Sequence, residues 1–325
     1  MPAAPTPRPT AGIAFILFGM LAISVNDMMI KQLSGGYPLH QIVFTRSIIG
    51  ICFTLMLVQM EGGWRILKTS RPGLHIMRGL LVVVSNLAFF SALAVLPLAE
   101  ATALFFVAPL FITLLSIPVL GEKVGPLRIG AVVFGFIGVI IMQRPWQSGE
   151  ALQADRWVLL LPVFAALTYA GMQVMTRKLG GQSKASAMAF YIQMTFIVVS
   201  GLFWLVAGDG RFAGTGNPSV EFLLRAWIWP AAGDWKYMIG LGLNAAIVGY
   251  SLSQAYRITD AATIAPFEYI GLPLAVFWGW LIWSDLPVWE VWTGMAMIAG
   301  AGLFVFLREQ QKARKVARGP VHGRY

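Results

Sequence analysis

Apolar runs close to 20 residues long recur from one end of the chain to the other, and no other feature constrains its fold as strongly. Wound as a helix at about 1.5 Å per residue, such a run crosses the roughly 30 Å hydrocarbon layer of a bilayer. One soluble core could not bury so many. Charge agrees: Asp, Glu, Lys and Arg make up 12% of the residues, against roughly 25% in soluble domains. Lipid is the expected solvent, and the expected fold is all-α, a polytopic membrane protein.

Ten transmembrane helices are expected, over residues 12–31, 40–60, 74–96, 99–120 and 126–143, then 157–178, 185–207, 235–258, 261–283 and 288–307. They divide the chain into an N-terminal tail (1–11), a first repeat (12–143), a linker (144–156), a second repeat (157–307) and a basic tail (308–325) that loses the apolar pattern and is expected to be largely disordered. The first run lacks the small-residue cleavage site of a signal peptide and reads as a retained helix. Cys52 is the single cysteine, so neither a disulfide nor a cysteine metal cluster is available. The net charge of +10 lies in the loops and the tail, which suits membrane topology better than nucleic acid.

Placing the N-terminus in the cytoplasm puts Arg65, Lys68, Arg71, Lys123, Arg128, Arg177, Lys178, Lys184, Arg257 and the basic tail on that side, with fewer cations opposite. That is the bias of short cytoplasmic loops. Both termini are therefore expected in the cytoplasm, of a bacterial inner membrane. The longest connection, 208–234, falls outside, and its segment 219–229 could lie as a helix along the outer interface.

The halves resemble each other. Residues 24–36 match 170–182 in pattern, with Lys31 on Arg177 and Asp27 on Gln173. Residues 94–102 match 255–263, and Gly121-Glu122 matches Ser284-Asp285. With five spans per half, the second half enters the bilayer inverted, giving two inverted five-helix repeats. The last span of each half carries a small-xxx-small step, Ala131 to Gly135 and Ala296 to Gly300, suited to close packing within one chain or in a homodimer.

An ionisable residue inside a span is costly unless paired or wetted, which makes Asp27, Arg46 and Glu268 candidates for function. Asp27 and Arg46 lie at similar depth, so an ion pair is expected, as a structural clamp or as part of a substrate or proton site. Glu268 follows Pro266, which removes a backbone donor and can turn carbonyls toward a cavity. Asn26, Asn86, Gln173, Asn244, Tyr250 and Gln254 could line one hollow between the halves, with Phe90, Tyr169, Tyr269 and Trp278 as apolar walls. Singly, each polar group would equally serve as glue between helices.

At Gly121-Glu122, at Ala265-Pro266-Phe267-Glu268-Tyr269 and on to Gly279-Trp280 and Ser284-Asp285, the sequence resembles the EamA family of the drug/metabolite transporter superfamily, including its YddG-type amino-acid exporters. The second copy of the Gly-Glu ending reads Ser284-Asp285, a mild departure. The resemblance covers nearly the whole chain. It implies ten helices in two inverted five-helix repeats around a central cavity, with the fifth and tenth in a supporting role; a secondary transporter working by alternating access, with no cofactor, is expected. Its substrates are small metabolites, amino acids for export first, with S-adenosylmethionine uptake as the alternative. Protons are a candidate coupling ion, because a lone carboxylate fits either coupled or facilitated transport.

The rival classes are an intramembrane enzyme and a membrane scaffold. An enzyme needs a catalytic group, but His40 and His75 lie at helix ends, His322 in the tail, and 249–253 lacks the final Gly of a nucleophile elbow. A scaffold gives no reason for an inverted repeat converging on buried polar residues.

Overall fold

A computed structural model describes residues 9–69, 71–121, 124–146, 156–179, 185–258 and 265–317. The helices are α1 (Pro9–Leu33), α2 (Leu39–Glu61), α3 (Pro72–Leu93), α4 (Leu98–Phe105), α5 (Ala108–Leu120) and α6 (Pro126–Met142). They continue as α7 (Arg156–Leu179), α8 (Ala185–Ala207), α9 (Pro218–Leu224), α10 (Trp235–Ile258), α11 (Gly271–Trp283) and α12 (Trp289–Ala317). Short 3-10 turns occupy Gly63–Leu67 and Ala265–Ile270. Proline opens α3, α6 and α9 at the position where a missing N–H costs nothing.

Among the described residues, seven helical stretches are long and apolar enough to cross a membrane. They are Thr10–Leu33, Leu39–Glu61, Pro72–Leu93, Leu98–Leu120, Arg156–Met175, Ser186–Ala207 and Trp289–Arg308. Pro126–Met142 and Phe267–Trp283 are shorter apolar helices. Large apolar side chains cover the exterior, among them Met56, Ile76, Ile140, Val198, Leu205, Trp280 and Leu307. Water would not tolerate so continuous an apolar coat.

Three expected boundaries differ, each for a local reason. The span expected over 99–120 is broken after Phe105. Pro109 has no N–H for the Phe105 carbonyl, and its ring would collide with that carbonyl in a continuous helix. Pro273 stands in the same relation to Tyr269, and the stretch before α11 winds as a 3-10 turn. The last helix runs past the expected end at 307 into the basic tail as far as Ala317. Residues 308–317 are strong helix formers without Gly or Pro, and Gly319-Pro320 follow.

The matched endings Gly121 and Ser284 adopt the same left-handed cap, at φ 70° and 57°. Glycine is free to do so, whereas serine at positive φ is uncommon. Glu122 lies outside the described residues.

Helices pair across the two halves of the chain. The neighbours are α3 with α7, α1 with α10, α2 with α8 and α10, α3 with α8, α5 with α7, α1 with α11, α4 with α11, and α6 with α12. The α6–α12 crossing is the tightest. A Cβ on Gly294 would stand 2.9 Å from the Gly138 carbonyl oxygen, and one on Gly138 would stand 2.9 Å from Met297. Gly135 takes part as expected, against Leu110 and Ala301, but Gly300 faces open space. Gly135, Gly138 and Gly294 thus pack α6 against α5 and α12 of the same chain.

The 208–234 connection folds back over the ends of α2 and α3. Asn217 caps α9 through Ser219 N and Val220 N. Ser219 Oγ donates to Ser91 O (2.8 Å), His40 Nδ1 meets Leu223 O (2.9 Å), Gln41 Nε2 donates to Ile228 O (2.6 Å), and Tyr37 OH donates to Asp234 (2.7 Å). Phe222 is buried beneath it. The helix expected over 219–229 is thus shorter and docked on its own chain.

Candidate functional site

Four of the polar residues within the apolar spans, Asn26, Asp27, Arg46 and Asn86, meet between α1, α2 and α3. Arg46, buried on α2, donates to Asn26 Oδ1 on α1 (3.4 Å) and to Asn86 Oδ1 on α3 (3.5 Å). Asn26 Nδ2 in turn donates to Asp27 Oδ1 (3.1 Å). The expected direct ion pair is replaced by a relay: Asp27 and Arg46 act on each other through charge, with the Asn26 amide between them. Neighbouring positions on α1 point about 100° apart, so an amide that reaches both serves where one carboxylate cannot. The guanidinium also lies 5.5 Å from the Phe196 ring of α8. Among the described residues, two long hydrogen bonds and one ring engage only part of its fork of five donors.

An aromatic ladder rises beside this cluster. Phe90, one turn from Asn86 on α3, packs on Phe89 (5.2 Å); Phe89 packs on Phe105 of α4 (5.2 Å), and Phe105 on Tyr169 of α7 (5.4 Å). Gln173 Nε2 donates to Tyr169 OH (2.7 Å). Across the bundle Tyr269 meets Phe106 (5.4 Å), and its buried hydroxyl has no hydrogen-bond partner among the described residues. Glu268 stands where its charge reaches both Tyr169 and Tyr269. The break between α4 and α5 places Phe105 and Phe106 against these two tyrosines, a consequence of Pro109 that the sequence pattern did not reveal.

Other expected residues are held differently. Asn244 donates to Ala22 O (2.7 Å) and Trp278 Nε1 to Ser24 Oγ (3.1 Å), so both tie α1 to second-half helices. Tyr250 shares the exposed stripe of α10 with Leu243 and Ile247 and packs edge-on against Phe15. The side chain of Gln254 lies outside the described residues.

Arg46 is expected to be the one strongly embedded cation, yet Arg78 and Arg128 are buried to the same degree. Arg144 forms a buried 2.7 Å pair with Glu100. All but Arg144 lie within the expected spans, and the intramembrane-charge rule that picks out Arg46 reaches them as well. Arg128, three residues into its span, counts among the cytoplasmic cations in the sequence, whereas the fold buries it. Among the described residues, no group of three His, Cys, Asp or Glu could hold a metal ion.

An all-helical, lipid-coated bundle with amides, a guanidinium and aromatic rings gathered between its helices defines a membrane transport protein for small molecules. The model of the EamA-like transporter family matches residues 10–144. A riboflavin transporter of Brucella anthropi is 31% identical over 86% of this chain and 92% of its own length. The chain belongs to the EamA-like transporter family, within the drug/metabolite transporter superfamily. An S-adenosylmethionine uptake transporter of Rickettsia prowazekii is 25% identical over 92% of this chain and 94% of that one. A pseudopaline exporter of Pseudomonas aeruginosa is 25% identical over 85% and 89%. A protein crystal structure with 19% identity superposes with a TM-score of 0.58 over 93% of this chain and 97% of that one, a likeness of fold alone.

Proposed function

We propose that the chain is a secondary transporter that carries riboflavin or a similar flat, uncharged heteroaromatic metabolite by alternating access between two inverted five-helix halves. The observation that carries the substrate class is the Arg46, Asn26 and Asn86 cluster standing at the foot of the Phe90, Phe89, Phe105 and Tyr169 ladder. A flavin offers a ring system to stack and a dione edge that accepts from a guanidinium and pairs with amides. Each aromatic contact contributes about 0.5–1.5 kcal/mol beyond its area. Relatives named riboflavin transporters, at 29% to 31% identity, support the same class.

A zwitterion such as an amino acid is the second reading, favoured by a carboxylate and a guanidinium held one amide apart. A phosphorylated substrate is disfavoured, since Arg144 already pairs with Glu100 and the described cluster holds one cation. Direction follows the gradient, with uptake first for a flavin and export first for an amino acid.

The inverted repeat has support in the helix pairing. Exchanging α1, α2, α3, α4–α5 and α6 for α7, α8, α10, α11 and α12 turns α3–α7 into α10–α1, α2–α10 into α8–α3, and α5–α7 into α11–α1; the pairs α2–α8, α4–α11 and α6–α12 map onto themselves. The match of the family model to residues 10–144 supports a first repeat over 12–143. Ten spans, with both termini in the cytoplasm of an inner membrane, follow from this order and the Lys and Arg bias.

The test is growth of a riboflavin-auxotrophic bacterium on limiting riboflavin with this chain as sole transporter, followed by uptake into liposomes holding the purified protein. Growth and saturable riboflavin uptake are expected. Absence of both, with counterflow of a labelled amino acid instead, would overturn the flavin assignment in favour of the zwitterion. Repeating uptake with and without a pH gradient decides proton coupling.

A further inference from the structure

Lys31 ends α1 on the face that carries the 208–234 connection, and its half-buried ammonium joins three helix ends. It donates to Leu93 O (3.0 Å) and Leu96 O (2.5 Å), carbonyls at the C-terminal end of α3 and the turn beyond it. It also lies 5.4 Å from the centre of the Trp283 ring, at the end of α11. The left-handed cap at Ser284 turns the chain back there, with Ser284 N on Trp280 O and Asp285 N on Gly279 O, both at 3.1 Å. Asp285 is thereby held where its charge reaches Lys31.

The two kinds of contact are unequal. Terminal carbonyls of α3 carry the negative end of the helix dipole and bind a cation firmly, within the first half. The ring of Trp283, 5.4 Å from the ammonium, and the charge of Asp285, which acts on it without a direct bond among the described contacts, belong to the second half. Two turns below Lys31, on the same face of α1, Ser24 Oγ accepts from Trp278 Nε1 of α11 (3.1 Å). The α1–α11 seam therefore has a tryptophan from α11 against a polar group of α1 at two levels, and Ser24 is buried beneath the upper one.

We infer that the α1–α11 seam is where the transport path opens on this face, and that Lys31 is its latch: anchored to the end of α3, it holds the path shut by binding Trp283 and releases that ring in each cycle. The latch rests on the transporter assignment and is independent of which substrate is carried.

Cysteine labelling tests it in full-length protein carrying Cys52→Ser and Ser24→Cys. Spheroplasts without substrate are treated with a membrane-impermeant maleimide. A parallel Cys52→Ser, Thr215→Cys protein, whose cysteine lies on the exposed connection, reports whether the reagent reaches this face. Lys31→Met keeps the chain length and removes the cation. It should raise the labelling rate at position 24 on the order of tenfold, as loss of one desolvated cation–π contact predicts. Lys31→Arg should label as slowly as the parent, and Trp283→Leu as fast as Lys31→Met.

Labelling at Thr215→Cys together with an unchanged rate at position 24 in Lys31→Met and Trp283→Leu would overturn the latch. Absence of labelling at Thr215→Cys would instead overturn the membrane orientation. Should Lys31→Met fail to reach the membrane, Trp283→Leu carries the same test alone.

Discussion

Two glycines on the last helix should respond to the same substitution with opposite sign. A Cβ placed on Gly294 would stand 2.2 Å from Met142 Cγ and 2.9 Å from the Gly138 carbonyl oxygen. Met142 is fully buried, and the oxygen is backbone. Restoring an ordinary 3.4 Å contact requires α6 and α12 to part by about half an ångström while Met142 changes rotamer. Overpacking of this kind costs about 1–3 kcal/mol, against about 0.5–1 kcal/mol gained when alanine replaces a helical glycine. Gly294→Ala should therefore destabilise by about 1–2 kcal/mol. Gly300, six residues on, meets nothing within 4 Å, so Gly300→Ala should be neutral or gain up to about 1 kcal/mol. The assay is the fraction of purified protein still monodisperse after heating, followed by fluorescence-detected gel filtration. A Gly294→Ala protein as heat-resistant as Gly300→Ala would refute the reasoning, because it would mean that α6 and α12 do not meet at these glycines.

Asn26→Ala removes the amide between Asp27 and Arg46; hydrogen bonds to charged groups contribute about 1.5–3 kcal/mol, so transport should fall by roughly 10- to 150-fold with membrane insertion intact, and an unchanged rate would remove the relay from the pathway. Glu100→Gln leaves Arg144 buried without its carboxylate and should cost about 3–5 kcal/mol; the Glu100→Gln, Arg144→Gln pair should recover part of that loss in the same heating assay, and additive losses would contradict the pairing. The hydrogen bond from Tyr37 to Asp234 holds the Tyr37 phenol above its usual 10.0. A raised folded-state value means that this contribution is whole below about pH 10 and is lost as pH climbs through the folded value. Heat resistance should accordingly drop on the alkaline side of pH 10 in the parent, and Tyr37→Phe should show a shallower drop from a lower starting point.

Helices were legible because each bilayer-length run must satisfy its own backbone, and that demand is written in the order of apolar and polar residues. Asp27, Arg46 and Glu268 were legible for a related reason: a charge stands out in a run of Leu, Val and Ala. How those charges are partnered was not. Asn26 could be placed beside Asp27 by adjacency, but that it reaches Arg46 depends on the rotation of α1 against α2. Tyr250 and Tyr169 look alike in sequence, each a tyrosine inside a span, and only the packing sets one against Phe15 and the other against Phe105. Arg78 and Arg128 stand near span ends, where a sequence alone does not tell solvent from packing, and only the fold shows them buried.

By itself, the sequence determined the solvent of this protein, its helical class, its membership among small-molecule transporters and the resemblance between its halves. These depend on composition and on periodicity along a single helix. The tertiary structure alone decided that Asn26 bridges Asp27 and Arg46, that a proline break delivers Phe105 and Phe106 to two tyrosines, and that Lys31 joins α3 to α11. Side chains on separate helices meet according to rotation, depth and crossing angle, and those quantities are fixed by how whole helices pack rather than by any local stretch of the chain.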